Sequence, residues 1–263
     1  MTSQSEDGVN LDVPASVFQV EPPSGRIHVR RPGPEGVEEH LDISCAEIDG
    51  LTVYQGDIWM GSNALVDKKM AVQFGLYITD AGYRWPGGTI PYELDDAISG
   101  VVRAAIAKLT ALTPLVLRPR RGERDFVAFQ VGDLNGSFVG RAGGRQVIGL
   151  ARDASVGVAL HEICHAFGLW HEQSRPDRDQ YIMVHQDNIR PGCRPQFDIE
   201  TSNAASAGPY DYASIMHYPA DAFALPGTVT ITTRNGTSIG QRNGLSQGDI
   251  ASLRAVYPEL NWQ

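Results

Sequence analysis

Between residues 95 and 112 the apolar positions Ala97, Ile98, Val101, Val102, Ala105, Ile106 and Leu109 recur at intervals of three and four. That spacing sets one face of a helix against a core. The period changes on either side. Thr89 to Leu94, Leu115 to Arg118, Asp125 to Val131 and Gln146 to Leu150 alternate or run apolar over strand lengths, which predicts strands. Val156 to Leu169 returns to helical spacing, and Asp249 to Tyr257 predicts a late helix that stops before Pro258. From Asp179 to Thr228 the chain is rich in Pro, Gly, Asn and Ser, so that stretch is expected to be mostly irregular. Residues 1–40 open on the polar run Met1 to Asn10 and carry Glu21-Pro22-Pro23-Ser24-Gly25 and Arg31-Pro32-Gly33-Pro34-Glu35-Gly36. They bury too little apolar surface to fold alone and are expected to be loosely structured. Strands and helices interleaved in this way predict an α+β fold.

Composition divides the chain. At 263 residues and 42% hydrophobic it can bury a substantial core. No run of 18 apolar residues predicts a membrane span. Residues 1–75 hold 5 basic and 12 acidic side chains of the chain's 22 and 31, leaving 17 against 19 for residues 76–263. The acidity therefore sits in an N-terminal extension, residues 1–75, ahead of one domain, residues 76–263. With no basic cluster, the charge argues against a nucleic-acid partner.

The candidate chemistry lies in His161-Glu162-Ile163-Cys164-His165-Ala166-Phe167-Gly168-Leu169-Trp170-His171. His161 and His165, four apart on a helix, face the same way and can grip one ion. Glu162 follows the first of them, where its carboxylate reaches a water beside a metal rather than the metal itself. Gly168 can take the backbone geometry that ends a helix, so His171 arrives from another direction. Three imidazoles with a fourth position open is the arrangement of a catalytic zinc rather than a closed structural one. His-Glu-x-x-His alone arises by chance in roughly 3% of chains of this length, and fixing Gly168 and His171 lowers that by about 400-fold. About 45 residues later, Ser214-Ile215-Met216-His217-Tyr218 stands where the longer zinc motif is followed by a methionine turn, with Met216 as a soft apolar floor.

His161 to Asp179 together with Ser214 to Tyr218 resembles the astacin family of metzincin endopeptidases. The resemblance extends to Arg84-Trp85-Pro86-Gly87-Gly88-Thr89-Ile90-Pro91-Tyr92, to Ser137 to Gln146, and to Ile239-Gly240-Gln241-Arg242 and Gly248-Asp249-Ile250, about residues 76–260 in all. It implies a two-lobed catalytic domain: an upper lobe with a twisted, mostly parallel sheet and helices, a lower lobe largely irregular, and zinc in the cleft between. It implies a zinc-dependent endopeptidase acting on polypeptides. In that reading His161, His165 and His171 hold the ion and Glu162 is the base. Tyr218 serves either as an extra ligand or as a donor to the tetrahedral oxyanion.

Tyr54-Gln55-Gly56-Asp57-Ile58 resembles the prosegment motif by which such enzymes keep themselves latent, with an aspartate taking the fourth zinc position. Asp57 is then the switch and the chain's own prosegment its inhibitor. A thiolate also ligates zinc, so Cys45, twelve residues upstream, is the competing switch. Activation by another protease would free a terminus near Leu76, within about residues 69–80, and the resemblance pairs that terminus with Glu172. Arg242 falls where some relatives face the residue after the scissile bond, which implies a preference for Asp or Glu there.

Three cysteines leave at least one thiol unpaired. Cys164 is expected to be a small buried residue, and Cys193 to lie in a loop. Low cysteine use and the lack of appended modules suggest a bacterial-type member, folded without disulfides. No secretory leader is visible after Met1, whereas the resemblance implies work outside the cell. Two other functions share this pattern: a zinc-binding pseudoenzyme that holds peptides, and hydrolysis of a non-peptide amide.

Overall fold

The computed structural model describes residues 81–199 and 205–262 throughout. Ahead of them it describes four strands and Asp57, with side chains for Asp57, Ile58 and Trp59. The four strands are β1 (Ser24–Pro32), β2 (Glu38–Ile48), β3 (Leu51–Tyr54) and β4 (Ile58–Ser62). Residues 24–32 and 38–40, expected to be loose, are thus largely strand. β1 and β2 pair antiparallel over nine residues, and ladder bonds between strands supply what the sparse apolar content does not.

The chain beyond residue 80 supplies β5 (Thr89–Leu94), β6 (Val116–Pro119), β7 (Phe126–Val131), β8 (Gly136–Ser137) and β9 (Arg145–Leu150). All nine strands form one sheet in the order β1-β2-β3-β4-β8-β9-β7-β5-β6. The pairs β5–β6, β5–β7 and β7–β9 are parallel. β8 runs antiparallel to β9, and β4 joins it in parallel at Ile58–Ser137. The N-terminal strands therefore extend the sheet of β5 to β9 rather than forming a separate layer.

Helix α1 (Ser99–Thr110) buries Val102, Ala105 and Leu109, the stripe that its spacing predicts. Helix α2 (Val156–Ala166) packs beside it, begun by Ser155, whose hydroxyl accepts from the Val158 amide. Both cover the sheet through Ile90, Val127, Phe129, Ile148 and Leu150, joined by Met216 and by Leu253 and Val256 of α3 (Gln247–Val256). Cys164 is buried in this core. Beyond α2, regular structure shrinks to single turns and a three-residue antiparallel pair, β10 (Ile182–Val184) with β11 (Ile231–Thr233). A second apolar cluster of Ile182, Ile189, Phe197, Tyr210, Tyr218 and Ile231 organises that lobe. Met216 belongs to the first cluster and Tyr218 to the second, so the turn between them joins the lobes. No helix among the described residues is long and apolar enough to cross a membrane.

Candidate metal centre

α2 stops three residues short of the predicted Leu169. Gly168 takes a φ of 105°, its amide bonds the His165 carbonyl and the Leu169 amide bonds that of Cys164. This left-handed cap turns the chain, and His171 comes back toward the helix it left. Trp85 braces the end of α2, its indole N–H donating to the Ala166 carbonyl at 2.9 Å.

His161 and His165 are each aimed by a backbone carbonyl. Nδ1 of His161 lies 2.8 Å from the Ile215 oxygen, and Nδ1 of His165 lies 2.7 Å from the Leu169 oxygen. A carbonyl only accepts, so each Nδ1 carries the proton and each Nε2 presents a lone pair inward. Those two Nε2 atoms sit 3.1 Å apart. Two lone pairs so close in a buried site call for a cation between them. The Asp57 carboxylate completes the group, Oδ2 at 3.2 Å from Nε2 of His161 and Oδ1 at 3.1 Å from Nε2 of His171 and 3.8 Å from Nε2 of His165. A tetrahedral zinc with bonds of about 2.0–2.1 Å holds its ligand atoms roughly 3.3 Å apart. The donor set and its spacing fit that ion, and all four ligand atoms fall within 4.8 Å of one another.

Burial, and then the Arg242 charge, push the His161 imidazole down to about 4; burial and the neighbouring imidazoles hold His165 well below its ordinary value. Both are therefore neutral and ready to ligate at pH 7. Burial raises the Asp57 carboxyl, but His171, His161 and His165 outweigh it and keep the group well below the usual range. Glu162 is buried beside them, its Oε2 without a hydrogen-bond partner. Burial, and then the Asp57 charge, raise its carboxyl well above the usual range.

The turn beneath the imidazoles is tied down from several sides. Asp249 accepts from the Ser214 hydroxyl at 2.6 Å, the Ile215 amide at 2.9 Å and the Ser246 amide at 2.8 Å. It therefore sets the carbonyl that aims His161. Met216 is buried under the site, and its carbonyl accepts from the Glu172 amide. The Tyr218 amide donates to Gln173 Oε1, and its ring lies 4.7 Å from that of His171. Burial, and then the Asp57 charge, raise its phenol well above the usual range.

The remaining predicted residues fall at the margin. Arg242 donates to the His217 and Gln241 carbonyls, and its backbone oxygen crosses Gly157 so closely that a Cβ there would collide with it. Glu172 accepts from the Asp211 amide at 2.8 Å and pairs with Arg175 at 3.2 Å; burial raises its carboxyl to about 7. The side chain of Cys45, on β2 opposite Gly25, and the expected cleavage window at residues 69–80 are outside what is described. Asp249 stands in the sequence at the start of the late helix, where it forms a capping box with Ser246, but its grip on the Ser214 turn has no local signal. The bond of Tyr210 to His217, 2.7 Å, and the seat of Trp59 on β8 and β9 gave no local signal.

A family model described as Astacin, a peptidase family, matches residues 77–258. Zinc metalloproteinase nas-6 of Caenorhabditis elegans is 38% identical over 78% of this chain and 62% of its own length. Astacin-like metalloprotease toxin 1 of Loxosceles intermedia is 34% identical over 81% of this chain and 84% of its own. The chain thus spans less than two thirds of nas-6. Among solved structures, high choriolytic enzyme 1, a hatching enzyme zinc-protease of Oryzias latipes, superposes with a TM-score of 0.65 at 31% identity, over 70% of this chain and 99% of that one.

Proposed function

Since the chain belongs to the astacin family of peptidases, we propose that it is a zinc-dependent endopeptidase of polypeptides, held latent by Asp57 of its own N-terminal segment. The observation that carries this reading is the Asp57 carboxylate lying 3.2 Å and 3.1 Å from the inward nitrogens of His161 and His171. A peptidase of this kind needs that position open. Asp57 is a good ligand and fills it.

His161, His165 and His171 would hold the ion, which when bound polarises both a water and the scissile carbonyl. Glu162 takes the proton from the attacking water at Oε2 and returns it to the leaving amine. Its burial next to Asp57 supports a carboxyl that changes protonation when the acidic neighbour leaves. Tyr218, tilted against His171, contributes its phenol to the developing oxyanion. Met216 supports the imidazoles from below. Removal of the N-terminal segment, residues 1–75, by an activating protease opens the fourth position. The new terminus would then compete for Glu172, now held by Arg175 and the Asp211 amide. Arg242, which lies close enough to lower the His161 imidazole, would favour an acidic residue after the scissile bond.

The test uses the full zinc-loaded chain on casein, with and without a chelator. The unprocessed chain should cut nothing, and limited proteolysis should release chelator-sensitive cleavage. Asp57→Ala should cleave without processing, whereas Cys45→Ala should stay latent. Latency retained in Asp57→Ala and lost in Cys45→Ala would move the switch to Cys45. A processed, zinc-loaded chain inert on casein would refute the peptidase reading.

A further inference from the structure

Two residues beyond Asp57, the Trp59 indole is 2% exposed and lies on bare backbone. A Cβ placed on Gly136 would collide with its Nε1 and fall 2.7 Å from its Cε2; one placed on Gly149 would fall 2.5 Å from its Cη2. Gly136 and Gly149 stand directly opposite each other on β8 and β9, so the ring crosses two strands of the catalytic sheet. Phe138 closes one side, edge-on at a centroid distance of 6.3 Å. Neither glycine has a positive φ. The backbone does not require glycine at these positions, and what the missing side chains provide is room. The three atoms nearest a Cβ on Gly136 all belong to Asp57 and Trp59, so that room empties when the N-terminal segment leaves.

We propose that the recess filled by Trp59 is a substrate subsite of the activated enzyme and takes one aromatic side chain. This rests on the peptidase reading above. Asp57 reaches the imidazoles where its segment adds to β8, Ile58 pairing with Ser137 and the Asp57 carbonyl accepting from the Ser137 amide at 2.9 Å. Any polypeptide that brings a bond to the same imidazoles along that edge passes the same recess. An extended chain advances about 3.3 Å per residue, so the side chain that enters is two residues from the one over the metal, as Trp59 is from Asp57. The indole Nε1 is buried without a hydrogen-bond partner. The recess therefore selects by shape and apolar area, and phenylalanine or tyrosine should enter as well as tryptophan.

The processed, zinc-loaded chain is tested on peptide pairs that differ only in Trp or Ala, two residues from the scissile bond on either side. On one side the Trp peptide should have a kcat/KM roughly tenfold higher, and Gly136→Ala should bring that ratio near one. Equal rates on both sides, or a ratio unmoved by Gly136→Ala, would overturn the subsite. Binding separates this from the peptidase reading. The capped peptide Asp-Ile-Trp-Met, the sequence of residues 57–60, should bind the processed chain roughly tenfold more tightly than its Trp-to-Ala twin. A chain that cuts nothing yet discriminates keeps the recess and loses the peptidase; one that cuts casein and binds both alike does the reverse. Should Gly136→Ala fail to fold, the unsubstituted chain decides with both peptide sets.

Discussion

Glu162 and Gly168 show how single residues divide the labour of the site. Glu162 touches none of the carbonyls that orient His161 and His165, so its side chain can be removed without disturbing the grip on the ion. Glu162→Ala, after processing, should keep one zinc per chain while casein turnover falls by about 10²–10⁴-fold; near-normal turnover would overturn the base assignment. Gly168 does the opposite. A side chain at its φ of 105° strains the turn that returns His171. Gly168→Ala should lower unfolding free energy by about 1–2 kcal/mol and weaken zinc retention together, read by thermal melts and metal analysis. These residues were legible in the sequence because they are neighbours along it. Asp249, 88 positions after His161, was legible only as the start of a helix and part of a family-like motif, since its grip on the Ser214 turn arises through space.

At the scale of elements, periodicity placed α1 and the strands β5, β6, β7 and β9 to within a few residues, because each runs for at least four residues and carries an apolar pattern of its own. β8 escaped it, two residues being too few to show alternation. β10 and β11 are three residues each and pair across about 50 positions, so their register comes from tertiary packing. Short elements like these lean on side-chain ties. Asp125, just before β7, accepts from the Gly144 amide at 2.7 Å and pairs with Arg141 at 2.5 Å. Partial burial opposes its charge, but these partners win and lower its carboxyl below the ordinary value. A lowered folded pKa means stability present above the unfolded value, about 3.9, and lost as the pH falls through the folded one. Asp125→Asn should therefore lose less stability than the unsubstituted chain between pH 6 and pH 3, the difference being under about 1 kcal/mol for so partly exposed a pair. A larger acid loss in the variant, measured by denaturant titration at each pH, would contradict the assignment.

For the molecule as a whole, the N-terminal strands are an extension of the sheet of β5 to β9, which composition could not reveal because polar, proline-bearing strands imitate loose chain. The family's two-lobed plan was readable from its motifs; the route by which residues 24–62 join it was not. That junction has a consequence for handling the protein. β4 pairs with β8 at Ser137, whose amide donates to the Asp57 carbonyl, and once the segment is cut away that short strand edge faces solvent beside an apolar recess. Uncovered strand edges recruit one another. Processing should therefore make solutions prone to self-association at high concentration, visible as a rise in light scattering that the peptide Asp-Ile-Trp-Met suppresses and its Trp-to-Ala twin does not. A processed sample that stays monomeric at millimolar concentration would contradict this. The segment proposed to silence the enzyme would then also act as its built-in chaperone.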